Sequence, residues 1–111
     1  MAIRFYTSDP QTLLDAIYKA IDDGHVETWT YDDEGDFSHN RPQWVGKAWL
    51  EPTVEADSLL LTTIPPKGGS VTVRAYAIYH GRFAEMVLSH FDKLFSHSWI
   101  SALGSDGDSL Q

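Results

Sequence analysis

No residue of this chain is cysteine. That absence excludes a disulfide framework, a thiolate nucleophile and any cysteine-bound zinc or iron–sulfur centre. Bases are scarce too: eight Lys and Arg stand against sixteen Asp and Glu, for a net charge of −8. A field of that sign repels phosphate, which argues against nucleic acid and anionic membrane as partners. No apolar run approaches the roughly 18 residues that cross a bilayer. The opening Met1-Ala2-Ile3-Arg4-Phe5-Tyr6 has no basic stretch leading into an apolar one, so no secretory signal is expected. The expected location is the cytoplasm.

What remains is an ordinary globular composition, with 42% hydrophobic and 22% charged residues over 111 positions. That length supports one core. A single domain is expected over 1–103. The polar, acidic, glycine-containing stretch 104–111 is read as a frayed tail. The charge is unevenly spread: residues 1–57 hold twelve acids and four bases, whereas 58–111 hold four of each. The simplest role for such an excess is solubility. Its placement also favours a basic protein or a cation as partner.

Residues 2–7 alternate loosely and predict a strand. Ser8-Asp9-Pro10-Gln11 predicts a helix start, and Leu13, Leu14, Ile17 and Ile21 follow at helical spacing up to a Gly24 cap. Strands are expected over 26–31, 37–39, 47–54 and 58–64, with Pro52 indicating an edge position or a bulge. Val71 to Tyr79 shows the cleanest alternation and predicts a further strand. A second helix is expected after His80-Gly81, with Phe83, Met86, Val87, His90, Phe91 and Leu94 as its apolar stripe. Trp99 and Ile100 are expected to fold back over the body. The resulting fold is α+β: a two-layer sandwich whose antiparallel sheet of four or five strands carries two helices on one face.

Several clusters are weak as chemistry. The turn Asp32, Asp33, Glu34, Asp36, followed by His39, lacks the alternating acids and distant Glu of a calcium loop, and fits a solvated hairpin tip. His25 and Glu27 offer two metal ligands on one strand face, but a third cannot be assigned from sequence. His90 and His97 are about 10 Å apart on a helix, too far to share an ion. No G-x-S-x-G elbow is present and no Ser, His and Asp are singled out by spacing, so no catalytic residue is assigned. Glu51 and Glu55 could do acid–base work in a cleft, although surface solvation explains them as well. Lys67-Gly68-Gly69-Ser70 has its lysine before the glycines, unlike a phosphate loop. No cofactor and no metal are expected.

The aromatic residues carry the leading expectation. Trp29, Tyr31, Trp44 and Trp49 fall in the acidic half, and Trp, Tyr and Arg are the types enriched at binding hot spots. Filling a small core is their competing use. The function expected is a non-enzymatic protein-binding or regulatory module. Trp29, Tyr31, Asp32, Asp33, Glu34, Asp36, Trp44 and Trp49 would form an acidic, aromatic surface for a basic protein or for a second copy in a homodimer. The alternative is a small-molecule binder or small enzyme with a pocket between sheet and helices, lined by His25, Glu27, Arg74, Tyr76 and His80.

Overall fold

In the computed structural model, which describes residues 1–102, strand β1 spans Ala2–Tyr6. Ile3 and Phe5 point to one side and are fully buried, while Arg4 and Tyr6 point to the other and stay half-buried. Helix α1 covers Pro10–Asp22. Asp9 caps it by accepting a hydrogen bond from Thr12 N at 3.2 Å, and Pro10 occupies the first turn, where no N–H is needed. Leu13, Leu14 and Ile17 form its buried face.

Strand β2 (Trp29–Tyr31) pairs with β3 (Phe37–His39) as an antiparallel hairpin. It is shorter than the 26–31 expected. The N–H groups of His25 and Val26 bond to Ala20 O, so these residues close α1 instead of extending the strand. β4 (Trp49–Val54) and β5 (Ser58–Ile64) pair along their lengths across residues 55–57. Pro52 is tolerated for a local reason. β3 meets β4 only where Phe37 faces Leu50, so the Pro52 nitrogen turns toward a side where pairing has ended.

The largest correction concerns 71–79. These residues are not a strand; helix α2 runs over Val73–Phe91. Thr72 caps it, accepting from Ala75 N at 3.1 Å. Ala75, Tyr79, Phe83, Met86 and Val87 are buried at helical spacing. Over nine residues an alternating pattern also satisfies a helical one, and Ala75 and Ala77 favour the helix. Gly81 lies mid-helix and exposed, at a cost of about 1 kcal/mol relative to Ala, rather than at a helix start. Trp99 and Ile100 belong to strand β6 (His97–Ser101), which pairs antiparallel with β1.

The fold is therefore α+β, with two helices and an antiparallel sheet of six strands rather than four or five among the described residues, ordered β2-β3-β4-β5-β1-β6. Ile3, Phe5, Phe37, Leu50, Leu59 and Leu61 supply the sheet's part of the core, against Leu13 and Ile17 of α1 and Tyr79, Phe83 and Val87 of α2. Trp29, 2% exposed, meets Tyr79 and Phe83 edge-on at 5.5 and 4.9 Å. Where β3 and β4 part, the Tyr79 hydroxyl donates to Trp44 O and lies 3.1 Å from Ser38 Oγ. His80, also buried, bonds Thr63 Oγ1 through Nε2 at 2.7 Å. No helix among the described residues is long and apolar enough to cross a membrane. The stretch 104–111, read as a tail, lies outside the described residues.

Candidate functional site

Alternation along the strands leaves a second set of side chains outside the core. Both helices pack against the Ile3–Phe5 side, so the opposite side of β4, β5, β1 and β6 forms an open sheet face. The register across it runs Thr53, Leu60, Arg4, Trp99, with Tyr6 beside His97. Arg4 organises this face. Its Nε donates to Glu55 Oε1 at 3.0 Å, and its guanidinium carbon lies 5.4 Å from the centre of the Trp99 ring. Ser58 Oγ donates to the same Glu55 oxygen at 2.7 Å. The Ser58 hydroxyl and, after it, Arg4 hold the Glu55 carboxyl below its ordinary range, and Glu55 in turn holds Arg4 more firmly charged. Tyr6 stacks on His97 at 4.4 Å, with the rings 12° from parallel. Leu60 and Thr62 lie buried in the floor, and Trp99 is 40% exposed above it. Trp49 joins the same face, on the side of β4 opposite Leu50.

The β2–β3 end is strongly acidic. Asp32 shapes its turn by accepting from Glu34 N and Asp36 N, both at 3.0 Å. Gly35 adopts φ of +86°, and a Cβ there would lie 2.7 Å from the Tyr18 hydroxyl, which donates to Gly35 O. Burial, then the carboxylates of Asp32, Glu51 and Glu34, pushes Asp36 up to about 6. Burial and the nearby acids, Asp36 first among them, push Tyr18 up to about 12.

No family model, no curated protein and no solved structure matches this chain. The reading of the site therefore rests on its geometry.

The residues expected to form one acidic, aromatic surface are dispersed. Trp29 is core and faces α2, so it offers no surface. Tyr31 packs on Tyr18 of α1 at 4.7 Å and donates its hydroxyl to Asp22. Trp44 is half-buried beneath Arg74, whose guanidinium carbon is 5.9 Å from its ring. Asp32, Asp33 and Glu34 are exposed at the turn, while Asp36 is buried. Trp49 alone of the four aromatics reaches the open face. His39 turns away from the acids, its ring 5.1 Å from Trp29. Burial, then Arg82 and Arg41, lowers its basicity.

The alternative pocket does not assemble as expected. His25 and Glu27 line a groove of about 300 Å³ with Glu85, Met86, Ser89 and His90, between residues 24–28 and the C-terminal half of α2. Arg74, Tyr76 and His80 lie earlier on α2, roughly 15–24 Å along its axis from His90. His80 faces Thr63 in the interior. Among the described residues no three His, Asp or Glu side chains converge as metal ligands.

Sequence reasoning missed Arg4, Tyr6 and Trp99 as site residues, and weighed Glu55 and His97 only for other chemistry, as an acid–base group and as a metal ligand. The alternation Ile3/Phe5 against Arg4/Tyr6 was a usable signal. The alternation of His97 and Trp99 with Ser98 and Ile100 was another, obscured by the absence of a turn signal before it.

Proposed function

We propose that this protein is a non-enzymatic binding module that docks a protein partner of basic charge on its open sheet face. The observation that carries the reading is the Arg4 arrangement: a guanidinium fixed between Glu55 and the Trp99 ring, above the Leu60–Thr62 floor. Arg and Trp held rigid in this way contribute contact area without a large ordering cost, which is the usual physics of a binding hot spot. Trp49 and Tyr6 extend the surface. The turn acids, with Glu51, supply an attractive field for a basic partner and speed encounter at low salt. This reading retains the acidic, aromatic surface expected from sequence but moves its centre from Trp29 to Arg4 and Trp99.

The test is photo-crosslinking in native cells, with the photoreactive residue at Thr53 on the open face or at exposed Gln11 on α1. The expected result is a discrete adduct from Thr53, absent from Gln11, lost in a Trp99→Ala background and weakened by salt after lysis. Equal labelling from both positions, or none from Thr53, overturns the reading.

A further inference from the structure

The two edges of the sheet are built differently. β2 has three residues and is flanked in sequence by Glu27, Asp32 and Asp33. β6 has five, His-Ser-Trp-Ile-Ser, with no Asp, Glu, Lys, Arg, Pro or Gly among them. Among the described residues no strand pairs with the outer side of β6. Trp99 and Ile100 are 40% and 49% exposed, on opposite faces of that strand. Edge strands of monomers are blunted by shortness, charge, proline or a bulge. β2 has the first two of these protections, and β6 has no charge or proline.

The hydrogen-bond pattern fixes which main-chain groups of β6 are free. Ala2 N donates to Ser101 Oγ and Tyr6 O accepts from Ser96 N, so Ala2, Arg4 and Tyr6 turn their main chains toward β6. Trp99, opposite Arg4, turns its own inward, and Ser98 and Ile100 therefore turn theirs outward. We infer that β6 pairs antiparallel with β6 of a second copy of this chain, joining two sheets into one. Full overlap of a five-residue strand with its own copy centres the two-fold axis on Trp99. Ser98 then faces Ile100 of the second copy, and the outward groups of these two residues exchange hydrogen bonds. The two Trp99 residues meet as a non-hydrogen-bonded pair, with Cα atoms about 4.5 Å apart and both indoles on the open face.

Charge selects a second copy at this edge and not at the other. The excess of −8 belongs to residues 1–57, and its exposed turn lies at the β2–β3 end. At about 4.8 Å per strand, β2 lies roughly 24 Å from β6. Pairing through β6 places the two acidic ends at opposite extremes of the joined sheet, many Debye lengths of about 8 Å apart. Pairing through β2 would set Asp32 and Asp33 against their own copies. The inference stands on the edge geometry and does not require the open face to hold another protein.

Sedimentation equilibrium of the purified full chain over a range of concentrations tests it. The wild-type mass should rise from 12.5 kDa toward twice that value. Ile100→Lys and Ser98→Lys should each weaken association at least tenfold while the circular dichroism spectrum stays unchanged, and Thr30→Lys on β2 should have no effect. The cysteine-free sequence allows a second, independent readout. Trp99→Cys should form a disulfide-linked dimer under mild oxidation, since the expected Cα separation suits a disulfide, whereas Thr30→Cys should not. A wild-type chain that remains at 12.5 kDa up to several hundred micromolar overturns the inference. So does a dimer dissolved by Thr30→Lys and untouched by both β6 variants. These measurements use the chain alone, so their failure is separable from failure of the Thr53 crosslink.

Discussion

Ile3 and Arg4 are neighbours in β1 and share one backbone conformation, yet they belong to different parts of the molecule. Ile3 is sealed in the core with Phe5 and the helices, while Arg4 reaches an indole that is 40% exposed. The same division runs through β4, where Leu50 is buried and Glu51 is exposed. The covered face is held by close aromatic packing and buried hydrogen bonds. The open face is held by the Arg4–Glu55 ion pair, the stacked Tyr6 and His97 rings and long side chains lying over a small floor. The difference shows that the sheet's stability and its capacity for binding are carried by alternate residues of the same strands. A substitution should then affect one and largely spare the other.

The largest expected effect is on the covered face. Trp29→Ala should cost about 3–5 kcal/mol in denaturant unfolding, since it leaves a cavity between Tyr79 and Phe83. Trp99→Ala should cost under about 1 kcal/mol in the same measurement. Equal losses would erase the distinction between the faces.

Acid should act through two groups of opposite sign. Burial, and secondarily the chain N-terminus, lowers His80 from 6.5 to about 4. The folded state therefore favours neutral His80, so its contribution is present above pH 6.5 and is lost as pH falls toward 4. Asp36 runs the other way. Raised from 3.8 to about 6, it favours the protonated form in the folded state, and acidification below pH 6 adds stability. Each contribution is on the order of 3 kcal/mol. Asp36→Asn should thus be more stable than wild type at pH 7, with the advantage gone near pH 4. That variant should also uncover the His80 loss, as a fall in unfolding free energy between pH 6.5 and 4. A flat profile in Asp36→Asn would remove His80 from the account.

Tyr79→Phe should cost about 1 kcal/mol. The lost hydroxyl bonds Trp44 O, but Lys47 N also donates to that carbonyl and Ser38 Oγ has Ala48 O as a partner. The smallest effect should come from Glu55→Gln, below about 0.5 kcal/mol, because the Arg4–Glu55 pair is partly exposed. Its consequence should appear instead as a weaker Thr53 crosslink, once Arg4 is no longer held over Trp99. A stability loss larger than that of Tyr79→Phe would place the Arg4 cluster among the elements that hold the fold.

Much of the chain was legible because local signals were unopposed. The Asp9 and Pro10 start of α1, the hairpin at Gly35 and the β4–β5 pairing each follow from turn chemistry and periodicity over short separations. Residues 71–79 were misread because their pattern fits two periods. Burial of Ala75 and Tyr79 in one stripe with Phe83 settles which period applies. Trp29 was misassigned for a related reason: alternation says that two residues of a strand share a face, but not which face the helices cover.

The sequence by itself determined the absence of thiol chemistry, the acidic first half and the existence of alternating faces, since these depend only on composition and on neighbours along the chain. Tertiary structure decided which face was buried, that His97–Ser101 would lie beside β1 as the end strand of the sheet among the described residues, and that Arg4, Glu55 and Trp99 would meet. Those outcomes depend on contacts between residues 50 and more positions apart, whose pairing leaves no mark in local periodicity.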